Sequence, residues 1–407
     1  MSATLGDSLT LPNGSTLQNR IGKAAMSERL ADSDGAPGES LVRLYERWAG
    51  GGSGLLITGN VMVDGRHLGE QGNVVVEDEQ HLASLKAWAH ASRSGGALTL
   101  VQVNHPGRQA PRLVDTAPVA PSAVPMEMLP GVFAPPRALS DAEIHEIIAR
   151  FGATTAAVKA AGFDGVQIHA AHGYLVSQFL SPRTNLREDD WGGDDERRRR
   201  FLLEVVRAAR ASAGPDFAVS VKLNSADFQR GGFTEAASMA VLEALSAEGV
   251  DLLEISGGTY EASVMFDEEA PASTQRREAF FLDYAEKARE HTNIPLMVTG
   301  GFRTRAGMAA ALADGAADVI GVARPLAVEP NLPARLIAGE ADAALNIKLR
   351  TGWKLIDDMV QGGWYQAQIQ RMSLGHAPDP KLSRLRAIWH YLTTGERKVR
   401  RGFSKAA

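Results

Sequence analysis

The stretch Val166-Gln167-Ile168-His169-Ala170-Ala171-His172-Gly173-Tyr174-Leu175 runs from an apolar segment straight into two imidazoles and a phenol. A short run of this composition reads as a strand buried on both faces, as in a parallel sheet. In α/β proteins the carboxyl ends of such strands are where sites are built, so donors placed there are candidates for chemistry. The segment continues through Gln178-Phe179-Leu180-Ser181-Pro182 and Arg183-Thr184-Asn185-Leu186-Arg187-Glu188-Asp189-Asp190-Trp191-Gly192-Gly193.

Working outward, similar runs recur at Ile21–Met26, Leu55–Thr58, Leu98–Val103, Gly165–His169, Val219–Leu223, Leu252–Ser256, Pro295–Thr299 and Asp318–Gly321. Between and after them lie segments of helical character: Leu41–Ala49, Leu82–Ser94, Asp141–Ala161, Glu196–Ser212, Glu235–Ala247, Phe280–His291, Arg305–Ala313 and Glu329–Ala338. Ser140-Asp141-Ala142-Glu143 has the form of a capping box, and Thr234 and Thr304 precede helical segments as N-caps. Eight alternating strand–helix units predict an α/β fold, a (β/α)₈ TIM barrel. The predicted organisation is a barrel over residues 1–340 and a helical C-terminal extension over 341–407, where Trp353, Ile356 and Met359 sit at helical spacing. Two connections, Asn104–Leu139 and Ala170–Asp195, are too long for simple turns and are expected to be structureless lids. Gly50-Gly51-Gly52-Ser53-Gly54 falls between a helix and the next strand, the wrong order for a dinucleotide fingerprint, and reads as a turn at the barrel bottom.

The 407 residues contain no cysteine, which excludes disulfides, thiolate nucleophiles and iron–sulfur ligation. A net charge of −5 points to neither nucleic acid nor an anionic membrane as partner. The arginines at 197–200 follow Asp194-Asp195-Glu196 and read as a solvated helix face; the basic run Arg397–Arg401 reads as a solvated terminus. With no apolar run of transmembrane length and no signal-like N-terminus, a soluble cytoplasmic protein is expected. Whether it forms a homo-oligomer is left open, and the tail is a candidate surface for a partner subunit.

His169 and His172 admit three readings. They could hold a metal, although no cysteine, no nearby acid at helical spacing and no HExxH pattern accompanies them, so no metal is expected. They could be satisfied by their neighbours. Or they could donate two N–H groups to a substrate oxygen, stabilising charge that develops there. Tyr174 could then deliver a proton as general acid, or be a buried phenol with a bonded hydroxyl. Lys222, at another strand end, could be a buried cation or a Schiff-base nucleophile; the latter would make the protein an aldolase-like barrel lyase.

From His169 to Gly193 the chain closely resembles the signature of the Old Yellow Enzyme family, flavin-dependent ene-reductases, and the resemblance extends over about residues 5–340. It implies bound FMN, NADPH or NADH as donor, and enone, enal or nitroalkene substrates reduced in a ping-pong cycle. Hydride would pass from flavin N5, with His169 and His172 on the activating oxygen and Tyr174 supplying the proton. Leu17-Gln18-Asn19-Arg20 would open the first strand, and Ala24, Ala25, Met26 and Ser27 would meet the flavin at its end. Ala25 stands where the family usually has Pro, and Ser27 where it has Thr or Cys; the serine is expected to donate to flavin O4. Asn60 would be a further contact, at a position where small residues are common. Gln102, within Gln102-Val103-Asn104-His105-Pro106-Gly107-Arg108, would pair with the flavin pyrimidine. Lys222, where many relatives carry Arg, would face N1 and O2. Gly300, Gly301, Phe302, Ala323 and Arg324 would hold the phosphate. The family form expected is the one without an iron–sulfur cluster and C-terminal Rossmann domain; a non-catalytic flavin-binding barrel is the remaining alternative.

Overall fold

The computed structural model describes residues 2–127, 131–258, 281–347, 349 and 354–385, with side chains of the last segment from 360. Eight parallel strands form the barrel: β1 (Ile21–Lys23), β2 (Leu55–Ile57), β3 (Leu98–Asn104), β4 (Gly165–Ala170), β5 (Ala218–Asn224), β6 (Leu252–Ser256), β7 (Leu296–Thr299) and β8 (Val319–Val322). They pair in sequence order, β2 pairs β3, and β8 returns to β1 with Ile320 opposite Ile21 and Val322 opposite Lys23. Val61–Met62 continues the β2 connection alongside the end of β3. The expected runs are all found. β1 ends three residues sooner than expected, because after Ala24 donates to Val322 O the chain leaves the ladder.

The outer layer comprises α1 (Glu39–Ala49), α2 (Leu82–Arg93), α3 (Asp141–Ala160), a short α4 (Leu175–Leu180), α5 (Asp195–Ala213), α6 (Glu235–Ala247), α7 (Leu282–Ala288), α8 (Arg305–Ala313) and α9 (Leu332–Ala338). The expected caps are made. Ser140 and Glu143 form the reciprocal capping box, Thr234 accepts from Ala237 N–H at 3.2 Å, and Thr304 accepts from Gly307 N–H at 3.1 Å. α7 is shorter than expected, and Phe280 lies outside the described residues. α9 starts three residues late, with Pro333 in its first turn, where a missing N–H costs nothing.

Apolar side chains divide into two layers. Outward-facing residues such as Ile21, Val166, Ile168 and Val219 pack under the helices, where Tyr45, Trp48 and Trp88 meet edge to face. Inward-facing Leu55, Leu98, Leu100, Ala218, Leu252, Met297 and Val319 fill the barrel. Leu11 and Leu17, from the N-terminal hairpin Leu9–Thr10/Thr16–Leu17, join this inner cluster and close the bottom. The glycine-rich segment after α1 is the bottom turn expected of it, with Gly54 N–H donating to Ile21 O.

The two long connections are not structureless. Ala170–Asp195 contains α4, whose residues are all buried, and Asn104–Leu139 contains the strand pair Val119–Ala120/Arg137–Ala138. Apolar residues in both segments supply enough burial to order them. Beyond the barrel, α10 (Lys354–Ser373) lies along α1; Arg43 donates to Ser373 O at 2.8 Å and Gln366 donates to Glu28 O. Ile356 and Met359 are within this helix; Trp353 and Arg397–Arg401 lie outside the described residues.

Gly165 begins β4 where a Cβ would sit 2.4 Å from Ala218 O and 2.6 Å from a Leu100 methyl, whereas a Cβ on Gly50 would meet nothing within 3.5 Å. Gly165→Ala is expected to destabilise the fold by about 1–3 kcal/mol through overpacking, and Gly50→Ala by less than about 1 kcal/mol. Urea unfolding of both variants measures the difference; equal midpoints would contradict the packing described.

Candidate active site

At the carboxyl rim of the barrel the strand ends surround a cavity of about 280 Å³, far larger than the void needed for one buried water. One wall carries His169, His172 and Tyr174. The His169 ring lies 5.1 Å from that of His172 and 4.8 Å from that of Tyr174, both edge to face. His169 Nδ1 accepts from Ala171 N–H at 3.3 Å, which puts the ring proton on Nε2. His172 Nε2 is 2.8 Å from Ser256 Oγ, leaving Nδ1 for a ligand. Burial pushes both imidazoles well below their usual range, and nearby Lys222 adds to it, so both are neutral.

His172 has φ of +61°, in the left-handed region that non-glycine residues seldom occupy. Its backbone is clamped from two sides: N–H donates to Asn224 Oδ1 at 3.2 Å, and O accepts from Gln109 Nε2 at 3.0 Å. These two bonds hold the backbone in that region at the cavity wall.

The floor is polar and lies inside the barrel. Gln102 donates to Gln167 Oε1 at 2.8 Å, Gln167 donates to Glu254 Oε2 at 2.9 Å, and Lys222 Nζ lies 2.9 Å from Glu254 Oε1. Register explains the contacts: Gln102 is opposite Gln167 across β3–β4, and Lys222 is opposite Glu254 across β5–β6. Gln167 and Glu254 were not singled out in the sequence, although a carboxylate inside Leu252-Leu253-Glu254-Ile255-Ser256 needs a partner and so was a readable signal.

The third side is formed by the turns after β7 and β8. Gly300 and Gly301 have φ of +125° and +98°, which favour glycine, and Phe302 and Ala323 flank the turns. Thr299 Oγ1 is buried at the cavity without a partner among the described residues. Arg324 lines the cavity from a 3₁₀ turn, and its guanidinium donates to Gln361 Oε1 of α10 at 3.0 Å. Gly257, Gly258 and Arg303 also line the cavity and were not anticipated.

Of the run after β1, Ala25 and Ser27 reach the cavity; Ala24 is packed in the barrel interior and Met26 against the outer core. Asn60 lines the cavity and accepts from Asn73 at 3.3 Å. The Ser27 hydroxyl is hydrogen-bonded to the Glu70 carboxyl group, a partner the sequence did not suggest. Partial burial pushes the Glu70 carboxyl up, opposed by Arg29 at 3.5 Å. Away from the cavity, Asp64, His67 and His105 approach one another. Asp64 is already paired with Arg66 at 2.6 Å and lies 3.5 Å from Arg150, so a cation there would meet two guanidinium groups.

The profile of the NADH:flavin oxidoreductase / NADH oxidase family matches residues 8–343, and the chain belongs to that family. It is similar to NADH-dependent flavin oxidoreductase iliE of Hypocrea jecorina (strain QM6a), with 39% identity covering 85% of this chain and 93% of that protein. Among solved structures it resembles the old yellow enzyme homologue of Zymomonas mobilis, with a TM-score of 0.72 and 26% identity over 84% of this chain and 95% of that one. Morphinone reductase gives a TM-score of 0.72 and 27% identity over 85% and 92%. The protein is an NAD(P)H-dependent flavin oxidoreductase of Old Yellow Enzyme type. No described helix is long and apolar enough to cross a membrane.

Burial also holds His105 down to about 3. Below about pH 6.5 the unfolded chain takes up protons at these histidines that the folded chain refuses, so stability is present above that pH and is lost as pH falls. Each contributes a slope of up to about 1.4 kcal/mol per pH unit. Unfolding free energies measured at pH 6.5 and 5.5 should fall steeply for the wild type, and by about 1 kcal/mol less for His105→Gln. An identical drop in both would refute the assignment.

Proposed function

We propose that the cavity binds FMN and that the protein reduces the C=C bond of α,β-unsaturated carbonyl or nitro compounds with NADH or NADPH. The similarity to a relative named for NADH dependence favours NADH. The observation that carries the reading is convergence: imidazole and phenol groups, an amide–ammonium edge and a glycine–arginine turn all open on one cavity.

The side chains fit such a cofactor. Gln102 and Lys222 suit the hydrogen-bonding edge of a flavin pyrimidine, and the ammonium suits the negative charge that reduction places there. The backbone at Gly300 and Gly301, the Thr299 hydroxyl, without a partner among the described residues, and the Arg324 guanidinium suit a phosphate at the last two strand ends, a common phosphate position in barrels. Ala25, Ser27 and Asn60 would line the remaining edge. A flavin held there would supply two-electron chemistry between a nicotinamide and the activated double bond.

The chain's own residues do the rest. His169 offers Nε2–H. If the Ser256 hydroxyl donates to His172 Nε2, His172 offers Nδ1–H beside it. Two neutral donors on the carbonyl or nitro oxygen stabilise the charge that develops as the double bond is reduced, the logic of an oxyanion hole. Tyr174, packed against His169, would serve as the general acid for the carbon next to the activating group. A lyase using Lys222 is disfavoured, because an ammonium held by Glu254 is not a free nucleophile.

Tyr174→Phe should slow reoxidation by cyclohexenone about 10²-fold or more while flavin reduction by NADH stays within about threefold. Stopped-flow measurement of the two half-reactions separates these steps. Equal slowing of both would remove Tyr174 as the proton donor, and a purified protein without flavin absorbance would remove the whole reading.

A further inference from the structure

The floor of the cavity contains a chain of side chains with a direction. Gln102, Gln167, Glu254 and Lys222 are each no more than 3% exposed. Glu254, ion-paired with Lys222, is a carboxylate and offers acceptors alone. The Gln167 atom 2.9 Å from Glu254 Oε2 must then be the amide nitrogen, which turns Gln167 Oε1 to Gln102. The Gln102 atom 2.8 Å from that oxygen must in turn be nitrogen. Gln102 Oε1 is left over, without a partner among the described residues, on a side chain that lines the cavity.

We infer that Glu254 is a positioning residue: acting through Gln167, it fixes the amide of Gln102 so that the cavity presents an oxygen acceptor to a ligand N–H. Resting on the flavin reading of the cavity, this assigns the acceptor to N3–H of the flavin pyrimidine. An isolated glutamine can turn its amide either way at little cost. Here a buried charge three strands along the barrel removes that freedom, because reversing any one amide would face donor to donor or oxygen to oxygen at about 3 Å. The same carboxylate holds Lys222, so one side chain orients both polar groups at that edge.

The test uses apoprotein titrated with FMN and with 3-deaza-FMN, in which a C–H of similar size replaces N3–H; binding is read from quenching of flavin fluorescence. Wild type should prefer FMN by about tenfold, the worth of one hydrogen bond. In Glu254→Gln the new amide can donate to Gln167, the chain can reverse, and Gln102 can present its NH₂; the preference should vanish or invert. Since that variant leaves Lys222 as an uncompensated buried cation, Gln167→Leu provides a second arm. It cuts the chain with the Glu254–Lys222 pair intact and should reduce the preference to about twofold or less. Retention of the tenfold preference in a folded variant of either kind overturns the inference while leaving the flavin site standing. A wild type that binds both flavins equally overturns the Gln102 assignment and this inference with it, and one that binds neither overturns the flavin reading itself.

Discussion

Closure of the barrel between β1 and β8 is the constraint on which the rest of the structure depends. Once Ile21–Lys23 pairs in parallel with Val319–Val322, every strand is parallel to both neighbours and all carboxyl ends share one rim. Residues as far apart in sequence as Ser27 and Arg324 then face one cavity. Closure also limits the interior. Met297 fills it from β7, and glycines face it from β8 and β1: a Cβ at Gly321 would lie 1.9 Å from Thr299 Oγ1, and one at Gly22 3.1 Å from the Met297 methyl. A large side chain on one strand is accommodated by missing side chains around it, as dense packing requires.

Behind the rim, buried charge ties the loops together. Lys23 is fully buried, donates to Ile57 O at 2.7 Å and sits 4.4 Å from the Trp48 ring centre; burial pushes its ammonium down to about 8. Glu28, in the loop after β1, accepts from Gly59 N–H at 2.8 Å and from the Tyr45 hydroxyl, and burial pushes its carboxyl up. That one carboxylate links the loop carrying Ser27 to the loop carrying Asn60. From outside, α10 donates from Gln366 to Glu28 O and accepts at Gln361 from Arg324. The segment beyond the barrel therefore touches two sides of the cavity's support. Removing one member of such a buried set costs far more than removing an exposed pair, because the remaining charge is stranded.

The strands were legible because each is a short Val-, Ile- and Leu-rich run that must be buried on both faces, and the helices because their caps and polar faces are local in sequence. His169, His172 and Tyr174 were legible because they follow such a run without a break. The partners that orient them were less so. Ser256 and Asn224 belong to other strands, and their contacts with His172 follow from barrel register. The Ser27–Glu70 contact spans a loop whose path no periodicity specifies. The connections expected to be structureless were misjudged because α4 and the Val119–Ala120 strand gain their order from burial against the barrel rather than from local propensity.

By itself, then, the sequence determined the alternation of elements, several of the residues that line the rim and the absence of cysteine chemistry, since each is a property of nearby residues or of composition. Tertiary structure decided the partners and direction of the hydrogen bonds: which nitrogen of each histidine faces the cavity, which carboxyl group the Ser27 hydroxyl meets, and which end of the Gln102 amide is left free. Hydrogen-bond direction depends on the partner, and these partners come from strands and loops brought together only when the barrel closes.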